Sequence, residues 1–262
     1  MSEIFEPIGY IRRGERYRFE APRQGIFSGG KAFVGMTDTA FWREACRDLD
    51  GFERLWLVGI FHLNRDQKIK PLVHPPVAPE KRGYGVFATR SPHRPNPIAL
   101  SCVRLCSVQN DGFAVDECDL LDGTPILDIK PYIPAADSFP AAACGWRSLV
   151  PEERFTVTFA GNAAEKAVFL LEKGGFDLCN FARVQLEHDP LNSRRKRVKH
   201  IAGNEWLLAW RTWRLRFHMD EEGARVEIVD ITSGYSPEEL RSGCEDIYGD
   251  KSLHRLFNCK FC

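Results

Sequence analysis

The chain has 262 residues, and its 36 basic and 36 acidic side chains give it a formal net charge of zero. That balance excludes a protein that attracts nucleic acid by overall positive charge, so any such binding must come from local patches. No apolar run approaches the about 20 residues that span a bilayer. The first residues also lack the basic and then apolar pattern of a secretory signal. We therefore expect a cytoplasmic protein that does not enter a membrane.

Short alternating and apolar segments dominate the first 145 residues. They predict strands over 5–12, 54–63, 84–90, 98–108, 113–120 and 125–133. One helix is predicted over 37–51, where Thr37 or Asp38 can cap the first turn and Gly51 ends the helix. Residues 13–36 and 71–83 are rich in glycine or proline and are expected to be loops. Many short strands with turns between them are typical of a β-barrel or sandwich.

The composition changes after about residue 145. Helices are predicted over 162–175, with Asn162 and Glu165 as a capping box, and over 177–190. Residues 205–231 predict a long hairpin with one apolar face and one basic face. The chain after residue 231 is polar. We therefore predict a β-rich domain over 1–148, a small α+β domain over 149–231 and a tail without an assigned role over 232–262.

A loop stiffened by prolines follows one predicted strand in "ATRSPHRPNPIALS", residues 88–101. Proline fixes its own φ and holds the preceding residue extended, so side chains on this loop lose little freedom when a ligand binds. Arg90, His93 and Arg94, with Asn96, suit a carboxylate or phosphate ligand. The alternative is a rigid connection that carries charge for solubility.

Carboxylates cluster in "ECDLLDGTPILDIKPY", residues 117–132. Asp122 and Gly123 fit a turn. Asp119 and Asp128 are expected at strand ends, where they could accept hydrogen bonds from hydroxyl groups or an amine, or act as a general base. In "APRQGIF", Gly25 allows close backbone approach beside Arg23 and Gln24. That signal is weak alone, because an ordinary surface loop explains it equally well.

Three further patterns bear on function. In "NSRRKRVKH", residues 192–200, six of nine residues can carry positive charge, which fits either a solvated loop or contact with a phosphate backbone. His62, His74 and His93 lack the spacing of metal ligands, and we predict no metal site. Cys102, Cys106 and Cys118 are interpreted as small buried hydrophobic residues. No glycine-rich fingerprint follows a strand, so a Rossmann-type nucleotide site is not supported.

Taken together, "FATRSPHRPNPIALS" and "DLLDGTPILDIKPYIP" resemble the paired signatures of the TsaA/TrmO family. "IGYIR", "APRQG" and "GFERLWLVGIFH" occur in the same order as in that family's N-terminal region. The resemblance is strong over residues 4–145 and weaker over 150–231. It implies a mainly β, α+β fold, with a TsaA-like β-barrel methyltransferase domain and a small C-terminal α+β domain, which works as a homodimer.

The resemblance also implies the reaction. Members use S-adenosylmethionine to methylate the exocyclic amine nitrogen of threonylcarbamoyl-adenosine, next to the anticodon of tRNA. Residues expected at the cofactor are Arg23, Gln24, Gly25, His62, Leu63, Arg90, Leu100, Asp116, Glu117, Cys118 and Asp119. Residues expected at the substrate are His93, Arg94, Asn96, Lys130, Arg194, Arg195 and Arg197. Asp119 or Asp128 is the candidate general base, with water as a third possibility.

Two other functions remain open at this stage. One is a non-catalytic module on the same barrel that binds tRNA or S-adenosylmethionine. The other is a metal-dependent hydrolase built on the histidine and aspartate residues. Transfer of a labelled methyl group to tRNA separates the enzyme from the binding module, and activity that survives a strong chelator excludes the hydrolase.

Overall fold

A computed structural model of the protein describes residues 4–22, 24–27, 29–75, 78, 82–150, 154–193, 196–241 and 243–261. The chain divides into two compact units, Met1–Pro151 and Glu152–Cys262. Each unit has its own sheet and its own hydrophobic core. Within the described residues, no helix has the length and apolar character needed to cross a membrane.

The first unit is built on a closed barrel of six antiparallel strands. Its strands are β1 (Gly9–Arg12), β2 (Ala32–Met36), β3 (Arg54–Ile60), β6 (Ile98–Gln109), β7 (Gly112–Asp116) and β8 (Pro125–Pro131), and they follow one another around the barrel in the order β1-β2-β7-β6-β3-β8. Inward side chains such as Leu55, Leu57 and Phe113 are completely buried. The alternation that predicted these strands therefore arises because every second side chain fills the barrel.

Short elements complete the first unit. They are β4 (Leu72–Val73), β5 (Tyr84–Gly85), α1 (Thr39–Ala45), α2 (Pro134–Asp137) and 3-10 turns at 18–20, 25–27, 49–51, 62–64, 86–88 and 145–149. Asp38 caps α1, since its carboxylate accepts hydrogen bonds from the backbone N–H groups of Ala40 and Phe41 at 3.1 and 3.2 Å. The helix is shorter than predicted because the chain turns at Cys46.

Two predictions for this unit are wrong. Residues 13–36 are not entirely loop, because β2 closes the barrel between β1 and β7. Residues 84–90 are not one strand: pairing ends at Gly85, and a 3-10 turn occupies Val86–Ala88. Among the described cysteines only Cys118 is buried, whereas Cys102 is half-buried and Cys106 is exposed. Alternation predicted the strand that carries the last two but not which of its faces meets the core.

The second unit packs helices against a five-stranded sheet. Its elements are β9 (Thr156–Phe159), α3 (Gly161–Gly174), α4 (Leu178–Leu186), β10 (Val198–Ala202), β11 (Glu205–Trp210), β12 (Trp213–Asp220), β13 (Arg225–Ser233) and α5 (Lys251–Phe261), and the sheet order is β10-β11-β12-β13-β9. Trp213, Leu215 and Phe217 are fully buried. The predicted apolar face of this region therefore forms the core.

Three sequence interpretations of this unit are corrected. The predicted hairpin is part of a larger sheet, because β10 pairs with β11, and β9 adds a parallel edge to β13. The predicted capping box is absent: Ala160 is the N-cap of α3, without a side-chain hydrogen bond. Finally, residues 251–261 are not a polar tail.

The terminal helix α5 is held in the core of the second unit. Phe257 and His254 are completely buried. The His254 ring lies against Trp213, with centroids 3.6 Å apart, and its two nitrogens are 2.8 Å from Thr212 Oγ1 and 2.7 Å from Ser233 Oγ. The sequence before this helix is mostly polar, so the whole region was interpreted as a tail. The apolar side chains that one side of the helix buries were therefore overlooked.

Candidate active site

Gly25 of the "APRQG" motif begins a 3-10 turn, Gly25–Phe27, that packs against the end of β7. A Cβ on Gly25 would lie 1.9 Å from the carbonyl oxygen of Glu117 and 3.5 Å from that of Cys102. Only glycine permits so close an approach of two backbones. The two motifs predicted to share a cofactor therefore meet here, and Gly25 is required by this packing. Arg23 lies outside the described residues.

Asp119 connects this turn to the barrel. Its carboxylate accepts a hydrogen bond from Ser101 Oγ on β6 and another from the backbone N–H of Gly25. Burial raises the pKa of this carboxyl group, although these hydrogen bonds and the charge of Arg13 act in the opposite direction. Asp119 is thus a desolvated carboxylate that fixes the position of the Gly25 turn.

Glu117 is held in an uncommon backbone conformation by ion pairs. Its φ is +58°, in the left-handed region. Its Oε2 lies 2.8 Å from Arg54 Nη1 and its Oε1 lies 3.8 Å from Arg104 Nε. Arg104 also binds Asp116 Oδ2 at 2.6 Å. Two arginines on neighbouring strands therefore fix the carbonyl of Glu117 against which Gly25 packs.

Arg13, the residue that follows β1, supports the same loop. Its side chain is 1% exposed and pairs with Glu15 Oε2 at 2.7 Å. Its Nη1 donates to the carbonyl oxygens of Cys118, at 2.5 Å, and Leu120, at 3.0 Å. Since these residues flank Asp119 in sequence, Arg13 sets the position of that carboxylate.

Cys118 has a supporting position in this arrangement. Its thiol is fully buried in the barrel core, and burial raises its pKa to about 11. Its backbone N–H donates to the carbonyl of Gly30 at 3.0 Å, while its carbonyl accepts from Arg13. The residue therefore shapes the loop through its backbone and keeps its side chain in the core.

Two further predicted cofactor residues come together at the proline loop. Arg90 Nη1 donates to Gln24 Oε1 at 3.1 Å, and this hydrogen bond joins the "ATR" and "PRQG" motifs.

Two other residues predicted at the cofactor, His62 and Leu63, lie in a 3-10 turn just after β3, and Leu63 is 38% exposed. A Cβ on Gly123 would lie 3.9 Å from His62 Nε2. Burial lowers the pKa of His62, as does Arg65, while Asp122 opposes them.

Leu100 and Asp128 share a row on the outer surface of the barrel. Leu100 is opposite Val58 on β3, and Val58 is opposite Asp128 on β8. Residues in register across a sheet point to the same side and are about 5 Å apart per strand. Asp128 Oδ2 pairs with Lys130 Nζ at 2.7 Å, and both side chains are well exposed. In the adjacent row, Trp56 is tilted against Tyr132 with ring centroids 5.7 Å apart.

The polar side chains of the proline loop differ in their contacts. Arg94 Nη1 donates to the carbonyl oxygens of Thr89, at 2.8 Å, and Val86, at 3.4 Å, and the guanidinium lies 5.7 Å from the ring centre of Phe87. Arg94 therefore also stabilises the loop that carries it. Asn96 is exposed. The pKa of His93 is lowered by burial and by the charges of Lys70 and Arg18.

The remaining predicted residues lie elsewhere or are not described. Arg197 is exposed at the start of β10 in the second unit. Arg194 and Arg195 lie outside the described residues. In the described part of the chain, no group of three or more histidine, cysteine, aspartate or glutamate side chains is arranged to hold a metal ion.

Sequence reasoning missed the residues that hold the site together: Ser101, Arg13, Arg54 and Arg104. Ser101 had a usable signal, because it is the only polar side chain among the inward positions Ala99, Ser101 and Val103 of β6. A polar group at a core position predicts a buried partner, which is Asp119. The arginines had no such signal, since arginine on a strand is ordinarily solvated.

The chain is similar in sequence to known proteins. The family model for the tRNA-methyltransferase O N-terminal domain matches residues 11–138. The chain is 33% identical over 227 residues to the tRNA (adenine(37)-N6)-methyltransferase of Escherichia coli, which covers 85% of this chain and 95% of the relative. It is 38% identical over 146 residues to a putative S-adenosylmethionine-dependent methyltransferase of Pseudomonas aeruginosa, covering 55% of this chain and 63% of the relative.

A solved structure supports the fold. The crystal structure of TrmO from Pseudomonas aeruginosa is similar with a TM-score of 0.66 and 26% sequence identity, and the match covers 89% of this chain and 99% of that one. A match of that length extends over parts of both units. The predicted architecture, a β-barrel domain followed by an α+β region, is confirmed.

Proposed function

The chain belongs to the tRNA-methyltransferase O family, and from that premise we propose that it transfers a methyl group from S-adenosylmethionine to the exocyclic nitrogen of adenine 37 in tRNA. The observation that carries the proposal is that the "APRQG" motif meets residues 116–119 at the barrel. There Gly25 packs on Glu117, and Asp119 accepts hydrogen bonds from both Gly25 and Ser101. The substrate form is adenine that already carries the threonylcarbamoyl group.

The residues at this end of the barrel fit S-adenosylmethionine. The cofactor has a sulfonium cation, a ribose diol, an amino-acid group and an adenine ring. The carboxylates of Asp116, Glu117 and Asp119 lie near the Gly25 turn, and arginines pair with the first two. The close packing of that turn leaves no space for a side chain on Gly25. Apolar side chains with exposed surface, Ile26 at 60%, Leu63 at 38% and Leu100 at 59%, offer contacts for the ring. When bound, the cofactor supplies an electrophilic methyl group.

The protein's own part in the chemistry is to orient the base and to accept one proton. The target nitrogen is attached to a carbonyl group, so its N–H is more acidic than that of plain adenine. We assign the proton to Asp128, whose carboxylate is 48% exposed and lies in the same outer row as Leu100. Asp119 is the weaker candidate, because its burial and hydrogen bonds suit it to anchoring the cofactor turn.

The proline loop is assigned to the substrate's threonine carboxylate. Arg94 donates to backbone carbonyls through Nη1, so its other N–H groups can meet a carboxylate in the bidentate manner typical of arginine. Its position is fixed by those bonds before any ligand arrives, which reduces the entropy lost on binding. His93 and Lys130 are the other candidates for the same group.

The test is transfer of a labelled methyl group from S-adenosylmethionine to tRNA with and without the threonylcarbamoyl modification. We expect transfer to the modified tRNA. Asp128→Asn should lower kcat by about 100- to 10,000-fold, the usual contribution of a positioned base. Asp111→Asn, an exposed aspartate in the turn between β6 and β7, is the matched control and should leave kcat unchanged.

Each other outcome has a definite meaning. If the wild-type protein bound S-adenosylmethionine and tRNA but transferred no methyl group, it would be a non-catalytic binding module and not an enzyme. Unchanged kcat in Asp128→Asn would assign the proton to water. An Arg94→Ala protein with an unaltered KM for modified tRNA would contradict the carboxylate assignment.

We also propose a homodimer that acts in the cytoplasm, where its tRNA substrate is found. Large apolar side chains are exposed on β6, with Ile98 at 51% and Leu100 at 59%, and Phe87 in the 3-10 turn Val86–Ala88 is 76% exposed. Contiguous exposed apolar surface is typical of a protein interface. Sedimentation equilibrium should give twice the 29.9 kDa mass of the chain, and Leu100→Asp should return it to the monomer.

A further inference from the structure

Basic side chains share a face of the sheet in the second unit. Arg214 on β12 is opposite Ala209 on β11, and the N–H of Ala209 bonds to the carbonyl of Arg197 beside β10 at 2.9 Å. In the next row, Lys199 is opposite Leu207. Residues in lateral register point to the same side of a sheet, and Trp213 and Leu215 beside Arg214 are fully buried. Arg197, Lys199 and Arg214 therefore face away from the core, and we call them the basic face.

Two of these guanidinium groups are close enough to affect each other. The pKa of Arg214 is lowered by its partial burial and by the charge of Arg197. Ala209, which lies between them in register, has only a methyl group, so both longer side chains can extend over it. Like charges brought together in a partly desolvated place are unfavourable unless an anion binds between them.

The contacts of Arg214 hold it in place without neutralising it. Its Nη1 donates to the backbone carbonyls of Arg211 at 3.1 Å and Trp213 at 2.9 Å. A Cβ on Gly234 would lie 2.6 Å from its Cζ, so the guanidinium rests on bare backbone. Among the described residues, no carboxylate forms an ion pair with Arg214. It is therefore a positioned positive charge.

The neighbouring Arg216 shows the contrast on the same strand. It binds Glu205 Oε1 at 2.9 Å and Asp230 Oδ2 at 3.0 Å, and Asp230 also binds Lys166 at 2.7 Å. Those charges are balanced within the domain. Acidic residues 220–222 occupy the turn at the other end of β12. Arg214, by contrast, has no carboxylate partner among the described residues.

We propose that the basic face is a docking surface for the sugar–phosphate backbone of the tRNA. The inference rests on the proposed function and extends it to a surface outside the barrel unit. Guanidinium groups bind phosphate oxygens in a bidentate manner, and clustered cations gain affinity by releasing counterions from RNA. A protein partner is less suitable, because the core of a protein interface is usually apolar and depleted of charge.

The experiment measures tRNA binding by the full chain as a function of salt. Arg214→Gln should weaken binding roughly tenfold, the loss expected for one charge-assisted contact, and should reduce the slope of log K against log salt by about one. KM for tRNA should rise while kcat stays unchanged. Arg225→Gln is the matched control, an exposed arginine on the same sheet beside the acidic turn, and should bind tRNA as the wild type does.

Two more variants separate binding from folding. Arg214→Lys keeps the charge and should retain most of the affinity and the salt slope. Lys199→Gln changes an exposed side chain outside the core and should reduce the slope again by about one. Equal binding and equal slopes for wild type, Arg214→Gln and Lys199→Gln would overturn the proposal.

The design also distinguishes this proposal from the proposed function. A wild-type protein that binds tRNA with a slope reduced by Arg214→Gln but transfers no methyl group would refute the enzyme and keep the surface. Methyl transfer with a KM insensitive to Arg214→Gln would refute the surface and keep the enzyme. Polyglutamate that competes with tRNA as strongly as unlabelled tRNA does would assign the face to an acidic protein and overturn the RNA proposal.

Discussion

Two groups of arginines, one in each unit of this protein, have opposite roles. At the barrel site, Arg13, Arg54 and Arg104 each bind a carboxylate, and they hold a backbone loop in position. On the second sheet, Arg214 is fixed by backbone carbonyls beside the charge of Arg197. The role of an arginine therefore depends on its partner. An arginine paired with a carboxylate holds the backbone in position, whereas one bonded only to backbone carbonyls keeps its charge available for a ligand.

In this comparison the largest effect is expected at the Gly25 turn, which packs against the loop that Arg54 and Arg104 hold in position. Gly25→Ala forces a methyl group into the carbonyl of Glu117, at 1.9 Å, so the turn must move by an ångström or more. Displacement of that size can cost about a hundredfold in kcat/KM. The measurement is methyl transfer at varied S-adenosylmethionine concentration.

Gly85→Ala is the matched control for that substitution. A Cβ on Gly85 meets nothing within 4 Å, and activity should stay within about twofold of the wild type. Full activity in Gly25→Ala would mean that the turn does not contribute to the cofactor site.

A smaller effect, on the free energy of unfolding, is expected when the Arg13 side chain that supports the Asp119 loop is removed. Arg13→Met leaves the carbonyls of Cys118 and Leu120 without their buried donor, and each such group costs about 1–3 kcal/mol. Urea unfolding should report a lower free energy of unfolding. Arg12→Met, at the adjacent exposed position, should cost little. Equal stability of the two variants would contradict the role assigned to Arg13.

The smallest effect contrasts two carboxylates with opposite shifts. Burial raises the pKa of Asp119. Burial also opposes the charged form of Asp230, but Lys166 and Arg216 prevail and lower its pKa. The contribution of Asp119 to stability is therefore largest below its unfolded pKa, near 4, and falls as pH rises through its native value. The contribution of Asp230 is present above that pH and is lost as pH falls through its native value.

Urea unfolding of Asp119→Asn and Asp230→Asn at pH 4 and pH 7 measures that difference. Relative to the wild type, Asp119→Asn should be less destabilised at pH 7 than at pH 4, whereas Asp230→Asn should be more destabilised at pH 7. The same pH dependence in both variants would remove the contrast between the two sites.

Much of the site was predictable because its motifs are local. The turn at Gly25, the carboxylates of residues 116–119 and the cations of the proline loop all come from short stretches whose residue types limit the backbone. Two connections between them were not predictable. Gln24 meets Arg90, and Ser101 meets Asp119, across long separations in sequence. Such pairs form only when strand order and register are set.

By itself, the sequence determined a region of many short strands followed by an α+β region, since period-two alternation and glycine or proline turns specify local structure. That the strands form a barrel was implied by the resemblance to the TsaA/TrmO family. The sequence also predicted which motif residues are candidates for the chemistry. The tertiary structure alone decided that β2 closes the barrel, that α5 belongs to a core, and which arginines are neutralised. Those outcomes depend on distant partners, because a charge or an apolar stripe has its meaning only from the groups that pack against it.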